Sequence, residues 1–247
     1  QGLGWTSLRG LLSEQEAKAW LPYIERALRK RWNISNPGHG RGAFQRVDNT
    51  WLVDDVVARF SMAPRLGRVA SELLNCGPPG VRLYKDTIFF KSREHHRSPW
   101  HQDQIATPIT TDGRIANCWI ALDHVDDDMA PLVFAEGSHV ERLPLYGGEA
   151  QQRQYLAALE KHPNWQTAGQ MAAGDATCHQ GWTMHTAEPN KHRRQRKAIS
   201  MMFYCNGTRM ATFEEFKSRS QDDLGAWKGW FETGGLQYGK RISTPLS

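Results

Sequence analysis

Two short segments of the chain carry side chains that could bind one metal ion. His101 and Asp103 stand two residues apart, and His185 follows much later in the sequence. On a strand, residues i and i+2 project from the same face, so the first two side chains can contact one ion. A distant histidine completes a set of two imidazoles and one carboxylate. This set is typical of non-haem Fe(II) oxygenases, in which it leaves positions for small ligands.

An arginine shortly after the second histidine could bind a carboxylate. Arg196 begins a strand-like run, and its planar guanidinium pairs with carboxylates through two hydrogen bonds. Alternation along this run places Arg196 on a face that is small and polar near its start, with Ala198, Ser200, Met202 and Tyr204. In a second run, Trp119 shares a face with Asn117 and Ala121. We expect Arg196 and Trp119 to face a pocket.

Each of these signals is weak when taken alone. The chain has a second His-x-Asp triplet, His124-Val125-Asp126, which continues into two further aspartates and is typical of a solvated acidic turn. A single histidine such as His185 is more often a loop residue with local hydrogen bonds. The combination of His101, Asp103, His185 and Arg196 in this order is what favours a metal site.

Together these segments resemble the phytanoyl-CoA dioxygenase-like family of Fe(II)/2-oxoglutarate-dependent oxygenases, over about residues 81–204. The stretches that carry the resemblance are Trp100–Asp103, Trp119–Asp123, Pro131–His139, Gly174-Asp175 and His185–Arg196. It implies that His101, Asp103 and His185 bind iron, and that Arg196 holds the distal carboxylate of 2-oxoglutarate. Trp119 and Thr87 match positions that line the same cosubstrate pocket. Oxidative decarboxylation with O2 would then give succinate and carbon dioxide.

Three positions depart from the family pattern. Ala187 stands where a small hydroxyl residue is common, and Ala130 and Ala135 replace the usual glycine and proline around Gly137-Ser138-His139. These changes concern the cosubstrate pocket and leave the iron ligands intact. Halogenating relatives replace the carboxylate ligand by a small residue, so the presence of Asp103 argues against halogenation.

The hydrophobic pattern predicts helices first and then many short strands. A capping box at Ser13 and Glu16 begins a helix that Pro22 could kink, and a second helix covers about 66–74. Strand-like runs cover 81–90, 116–125, 132–135, 176–179 and 198–205, and further helices cover 149–161 and 213–231. We predict one α+β domain over 1–247. Its helices lie in 1–80, its core in about 81–206 is a double-stranded β-helix (jelly-roll) barrel, and a C-terminal helix lies in 207–247.

Composition narrows the class of protein. The net charge of +5 favours anionic substrates, and the basic run 191–197 lacks the aromatic residues and motifs of a nucleic-acid site. No apolar run is long enough to cross a membrane. The four cysteines show no zinc spacing, so we expect buried free thiols in a reducing compartment. Since the sequence shows neither a membrane-spanning run nor a signal peptide, we expect a cytoplasmic protein, and we expect a monomer or homodimer.

These observations predict an oxygenase that acts on a small molecule. Ten tryptophans favour an apolar or aromatic substrate, such as an intermediate of specialised metabolism, and hydroxylation is the expected outcome. Ring closure, epimerisation and desaturation share the first steps and stay open, as does a non-catalytic binding module on the same barrel. Residues 91–99, which look too polar to be buried, and 147–166 are expected to form mobile walls that set substrate choice.

Overall fold

The computed structural model describes residues 2–35, 44–78, 80–93, 95–110, 112, 114–143 and 149–219. Five α-helices lie in these ranges: α1 (Glu14–Ser35), α2 (Asp55–Ser61), α3 (Pro64–Leu74), α4 (Glu149–Lys161) and α5 (Phe213–Arg219). The predicted capping box begins α1, because the Ser13 hydroxyl accepts from the Glu16 amide and the Glu16 carboxylate accepts from the Ser13 amide. None of the described helices is long and apolar enough to cross a membrane.

Ten strands form two sheets. The strands are β1 (Trp5–Leu8), β2 (Phe44–Asp48), β3 (Val81–Lys91), β4 (Ser98–His101), β5 (Ile115–Ala121), β6 (Leu132–Ala135), β7 (Trp165–Thr167), β8 (Ala176–Gln180), β9 (His185–Ala187) and β10 (Arg196–Cys205). The larger sheet has the order β1-β8-β5-β10-β3-β2, and the smaller one β4-β9-β6-β7. All pairings are antiparallel, and the two sheets share one cavity.

The two faces of the larger sheet have different partners. Its outer face packs against α1, α2 and α3, through Ile88, Ile120 and Ile199 among others. On its inner face the antiparallel register aligns side chains in rows across the strands. One such row joins Thr177, Trp119, Ser200, Thr87 and Asp48. A rigid sheet with helices on one side therefore fixes the inner side chains relative to one another.

The Gly174-Asp175 turn anchors the chain ahead of α1. Gly174 has φ +93°, and a Cβ atom there would lie 2.1 Å from the Leu12 carbonyl oxygen. The neighbouring Asp175 carboxylate accepts from the Gly10 amide and from the Arg9 guanidinium. A glycine is required at this turn, because it must combine a left-handed backbone with a close approach of the N-terminal segment.

Most predicted elements are confirmed, with three differences. The fold is a jelly roll whose sheets are not closed into a barrel by hydrogen bonds. Strands β1, β2, β4, β7 and β9 and helix α2 were missed as elements. Asp103 does not lie on a strand, because β4 ends at His101 and Asp103 begins a 3-10 turn. The extended backbone of Gln102 nevertheless keeps the alternation, so His101 and Asp103 still project to one side. Residues 220–231 of the predicted C-terminal helix lie outside the described residues.

The prediction of four free thiols is wrong for two cysteines. Cys76 and Cys205 form a disulfide that joins the end of α3 to the end of β10 across a sequence separation of 129 residues. Cys118 and Cys178 are buried and free, as predicted, and face each other in the β5–β8 register. The expectation of a reducing compartment rested on four free thiols, and the disulfide contradicts it for Cys76 and Cys205.

We therefore expect two reactive thiols per chain when the oxidised protein is unfolded in denaturant, and four after reduction. Thiol titration measures both numbers. Reduction should also lower the free energy of unfolding by about 2–5 kcal/mol, because the crosslink restricts the unfolded chain. The Cys118→Ala variant is the control, since it removes one thiol and leaves the crosslink. Four reactive thiols before reduction would contradict the disulfide.

Candidate active site

A cavity of about 470 Å³ opens between the two sheets and contains all six residues singled out from the sequence. His101 and His185 come from the smaller sheet, Asp103 from the turn after β4, and Thr87, Trp119 and Arg196 from the larger sheet. The size is within the range of small-molecule sites. The structure thus brings the two halves of the sequence pattern together in one place.

The two histidines present the same ring nitrogen to the cavity. His101 donates from Nδ1 to the Pro99 carbonyl at 2.8 Å, and His185 donates from Nδ1 to the Thr183 carbonyl at 3.0 Å. Each imidazole therefore carries its proton on Nδ1 and keeps the Nε2 lone pair free for a metal ion. Hydrogen bonds of this kind orient most histidine ligands in metalloproteins.

The three potential ligand atoms converge on one point. Asp103 Oδ1 lies 3.7 Å from His101 Nε2 and 3.8 Å from His185 Nε2, and all three atoms lie within 4.8 Å of one another. Ligands at right angles, each ~2.1 Å from an ion, would be about 3 Å apart. The set could hold a metal ion after shifts of less than an ångström, with the opposite side left open.

Two residues that the sequence did not single out hold the Asp103 carboxylate. Asn117 Nδ2 donates to Asp103 Oδ2 at 2.7 Å, and His179 Nε2 donates to the same oxygen at 3.0 Å. The His179 side chain is fully buried. Both bonds fall on Oδ2, which leaves Oδ1 free to contact a metal ion together with the two Nε2 atoms. The signal was present in the alternation of β5 and β8, where Asn117 and His179 face each other in register.

The protonation states match a cation site. Burial, together with the neighbouring His179, lowers the pKa of His185 to about 4. Burial opposes ionisation of Asp103, yet the nearby imidazoles and the hydrogen bond from His179 hold the pKa of this carboxyl well below its usual value. At neutral pH the site therefore offers a neutral imidazole beside an ionised carboxylate, which is the state that binds a dication.

Arg196 is a buried cation without an acidic partner among the described residues. Its side chain lies over the Trp119 ring, 5.2 Å from the centroid, and donates to the Ala130 carbonyl. Its Nε is buried and has no hydrogen-bond acceptor in the part of the chain that is described. Burial lowers the pKa of Arg196 to about 10. An isolated buried charge is costly, so this geometry suits an anionic ligand that enters the cavity.

The backbone conformation of Ala130 shows how alanine can stand where the family pattern usually has glycine. It has φ +60°, the left-handed backbone at which glycine is usual. This conformation turns its carbonyl towards Arg196. The alanine therefore keeps the local backbone that glycine would favour, at some cost in strain.

Thr87 and Lys91 lie beside Arg196 but have protein partners. The Thr87 hydroxyl donates to Asp48 Oδ1 at 2.6 Å, so its proton is not available to another acceptor. Lys91 is fully buried, which contradicts the expectation that residues 91–99 are all too polar for burial. Its ammonium donates to the carbonyls of Ala187 and Glu188, and burial lowers its pKa to about 8. Lys91 thus fixes the backbone that follows His185.

The second His-x-Asp triplet lies on the surface, as predicted. Asp126 accepts from His124 Nε2 at 2.8 Å and from Arg194 Nη2 at 3.0 Å. Asp126, Asp128 and His192 also approach one another closely enough to share an ion. Arg194 already pairs with Asp126, and none of the three residues lines the cavity.

The chain belongs to the phytanoyl-CoA dioxygenase (PhyH) family, whose sequence model matches residues 2–198. It is therefore an Fe(II)/2-oxoglutarate-dependent dioxygenase, and the residues in the cavity fit both iron and the keto acid. The resemblance read from the sequence is confirmed. No curated protein sequence is significantly similar to the chain.

Several solved structures have the same fold. The non-haem α-ketoglutarate-dependent carbocyclase SnoK from nogalamycin biosynthesis has a TM-score of 0.76 at 19% identity, over 99% of this chain and 91% of that chain. The epimerase SnoN, in complex with Fe3+, α-ketoglutarate and nogalamycin RO, has a TM-score of 0.75 at 22% identity, over 98% and 92%. EvdO2 from Micromonospora carbonacea var. aurantiaca, complexed with 2-oxoglutarate, has a TM-score of 0.60 at 20% identity, over 85% and 89%.

We expect His179→Phe to weaken Fe(II) binding about tenfold or more, because the carboxylate loses a donor that fixes its orientation. His179→Gln should restore most of the affinity, since the glutamine amide can donate from a similar position. Anaerobic Fe(II) titration gives the affinities, and circular dichroism checks the fold. Equal losses in the two variants would show that His179 only fills space.

Proposed function

We propose that His101, Asp103 and His185 bind the iron and that Arg196, with Trp119 and Thr87 beside it, binds 2-oxoglutarate. One observation carries the proposal: a buried guanidinium with no acidic partner among the described residues lies in the same cavity as a convergent set of two imidazoles and one carboxylate. Iron and 2-oxoglutarate together would activate O2 for oxidation of a bound substrate.

The protein side chains have separate tasks in this arrangement. Arg196 would hold the distal carboxylate of the keto acid, while the Trp119 face beneath the guanidinium fixes its plane. The Thr87 hydroxyl donates to Asp48, so Thr87 would line the pocket without donating to the keto acid. The hydroxyl of Ser200, which pairs with Thr87 in register, would be the one available to the keto acid. Leu132 and Ala187 supply apolar walls that exclude water near the iron ligands.

We further propose that the substrate is a small apolar or aromatic intermediate of specialised metabolism and that the enzyme hydroxylates it. The cavity is of small-molecule size, and Phe44, Phe89 and Trp100 contribute to its lining. A second outcome has support of its own. A carbocyclase and an epimerase share the fold over nearly the whole chain, so ring closure or epimerisation without oxygen insertion is the alternative.

Labelled oxygen separates these outcomes. A compound that raises succinate formation above the rate without substrate is incubated under isotopically labelled O2, and its product is examined by mass spectrometry. Hydroxylation places one labelled atom in the product, whereas ring closure, epimerisation and desaturation leave the product unlabelled. An unlabelled product with stoichiometric succinate would reject hydroxylation and favour the alternative.

We expect Asp103→Ala to lose most Fe(II) affinity and with it succinate formation, because two neutral imidazoles cannot compensate the charge of a dication. Asp126→Ala is the matched control, since it removes a carboxylate from the other triplet and should leave both properties almost unchanged. Fe(II) titration and a succinate assay measure them. If Asp126→Ala lost Fe(II) affinity while Asp103→Ala kept it, the metal would have to be assigned to the surface cluster of Asp126, Asp128 and His192.

Arg196→Gln should weaken 2-oxoglutarate binding by about 2–5 kcal/mol, because it removes a buried bidentate contact to a carboxylate. Anaerobic titration of the absorption band of iron-bound 2-oxoglutarate measures the affinity. Arg194→Gln is the control, because Arg194 pairs with Asp126 outside the cavity. An unchanged affinity in Arg196→Gln would place the carboxylate anchor elsewhere.

A further inference from the structure

The cavity extends well beyond the residues assigned to iron and 2-oxoglutarate. Strand β5, which carries Asn117 and Trp119, is separated from β2 by β10 and β3. Neighbouring strands are about 4.8 Å apart, so β2 lies roughly 14 Å from β5 along the sheet. Side chains on β2 and on the neighbouring part of β3 nevertheless line the cavity. This end of the cavity is therefore available to a substrate.

Aromatic rings form one surface of this end. Phe44 stacks on His95 with ring centroids 4.5 Å apart and an angle of 20°, and on Phe89 with centroids 6.2 Å apart and an angle of 24°. All three rings line the cavity and are only partly buried. Three nearly parallel rings at a cavity wall offer flat apolar area to a planar ligand. We refer to Phe44, Phe89 and His95 as the aromatic wall.

Positive charge lies next to the aromatic wall. The Arg46 guanidinium lies 5.7 Å from the Phe89 ring centroid, and Lys85 projects from the same face of β3 as Phe89. Both cations share one carboxylate, that of Asp48, at 3.5 Å and 3.8 Å. Asp48 also accepts from Thr87. One carboxylate thus faces two cations, and a positive charge is left over.

The rest of the cavity lining does not neutralise this charge. Among the described residues that line the cavity, Asp103 is the single carboxylate, and it lies with the iron ligands. Arg97 is paired with Glu188, so it adds no surplus charge. Burial and the nearby Lys91 lower the pKa of His95, which keeps its ring neutral at pH 7 and able to stack. This end of the cavity therefore keeps one uncompensated positive charge, which an anionic group of a ligand could neutralise.

We propose that the substrate is a planar unsaturated ring bearing an acidic oxygen, a carboxylate or a phenolate, with its ring on the aromatic wall and its acid group at Arg46 and Lys85. This inference rests on the proposed function, because it assigns the iron end of the cavity to the reaction and this end to recognition. It excludes cationic amines, which the surplus charge would repel, and saturated acids, which cannot stack on the wall.

Simple probes test the two requirements separately. The full chain is loaded with Ni(II) and 2-oxoglutarate, so that no turnover occurs, and calorimetry measures the binding of four compounds. These are 2-naphthoate, 2-naphthamide, cyclohexanecarboxylate and 2-naphthylmethylamine, which vary the charge and the ring in turn. We expect 2-naphthoate to bind about five- to tenfold more tightly than the amide and than the saturated acid, and the amine to bind most weakly.

Variants assign the preference to residues. Arg46→Gln and Lys85→Met should each abolish most of the difference between 2-naphthoate and 2-naphthamide, because the amide has no charge to lose. Phe44→Leu should weaken both naphthyl probes and spare the saturated acid. Arg68→Gln is the control, since it removes the same charge from an exposed position on α3 outside the cavity. It should leave the affinities of all four compounds unchanged.

Several outcomes would overturn the proposal. If 2-naphthoate and 2-naphthamide bind equally well, the site does not require a negative charge. If 2-naphthoate and cyclohexanecarboxylate bind equally well, the site does not require an aromatic ring. Absence of binding by all four probes, or equal effects of Arg46→Gln and Arg68→Gln, would also overturn the proposal. Displacement of 2-oxoglutarate by 2-naphthoate, seen as loss of the iron-bound absorption band under anaerobic conditions, would place the acid at Arg196. Absence of that band in the unmodified protein without any probe would instead contradict the proposed function.

Discussion

The Asp103 carboxylate is the group on which the rest of the site depends. Its side chain is only 16% exposed, and it is ionised beside His101, His179 and His185, with a pKa held well below its usual value. An ionised carboxylate that is largely withdrawn from water is stabilised by a cation, and the neutral Nε2 atoms of His101 and His185 complete a set of candidate ligands for one. The hydrogen bonds to Oδ2 then decide which oxygen remains for the metal ion.

The larger sheet fixes the order in which the functional side chains lie along the pocket. Its antiparallel register places Asn117 near the iron ligands, Arg196 and Ser200 in the middle and Phe44 with Arg46 at the far edge. Iron, keto acid and substrate would thus occupy successive positions along one surface. Relatives with the same fold include a carbocyclase and an epimerase. Loops and edge strands carried on a rigid sheet are where folds of this kind usually vary in specificity.

Sequence patterns predicted those features that depend on residues close together in the sequence. The alternation in β10 placed Arg196 on the inner face, and the capping box located the start of α1. The short strands β1 and β9 were missed because they have three or four residues and are stabilised by pairing with distant strands. The disulfide was missed because Cys76 and Cys205 meet only after the sheet has formed. His179 was missed because no motif in the sequence marks it, and its task depends on contact with Asp103 in the folded structure.

For the wall formed by residues 91–99, the sequence likewise predicted the position of the segment but not how its side chains pack. The sequence correctly placed this segment at the cavity, since His95, Arg97 and Ser98 line it. Its polarity suggested exposure throughout, yet Lys91 is buried and holds the backbone after His185. A buried lysine is unusual, and only the carbonyls that surround its ammonium make it acceptable. The tertiary structure supplies those acceptors, so composition alone could not predict them. The mobility expected for this wall stays a prediction.

The central claim is that one ion binds between the two sheets and that the keto acid binds beside it. A crystal structure of the protein grown anaerobically with Fe(II) and 2-oxoglutarate, with diffraction recorded at the iron absorption edge, tests it most directly. The account predicts one strong anomalous peak, about 2 Å from His101 Nε2, Asp103 Oδ1 and His185 Nε2, and a carboxylate paired with Arg196. A peak at Asp126, Asp128 and His192 instead, or a keto acid away from Arg196, would contradict it.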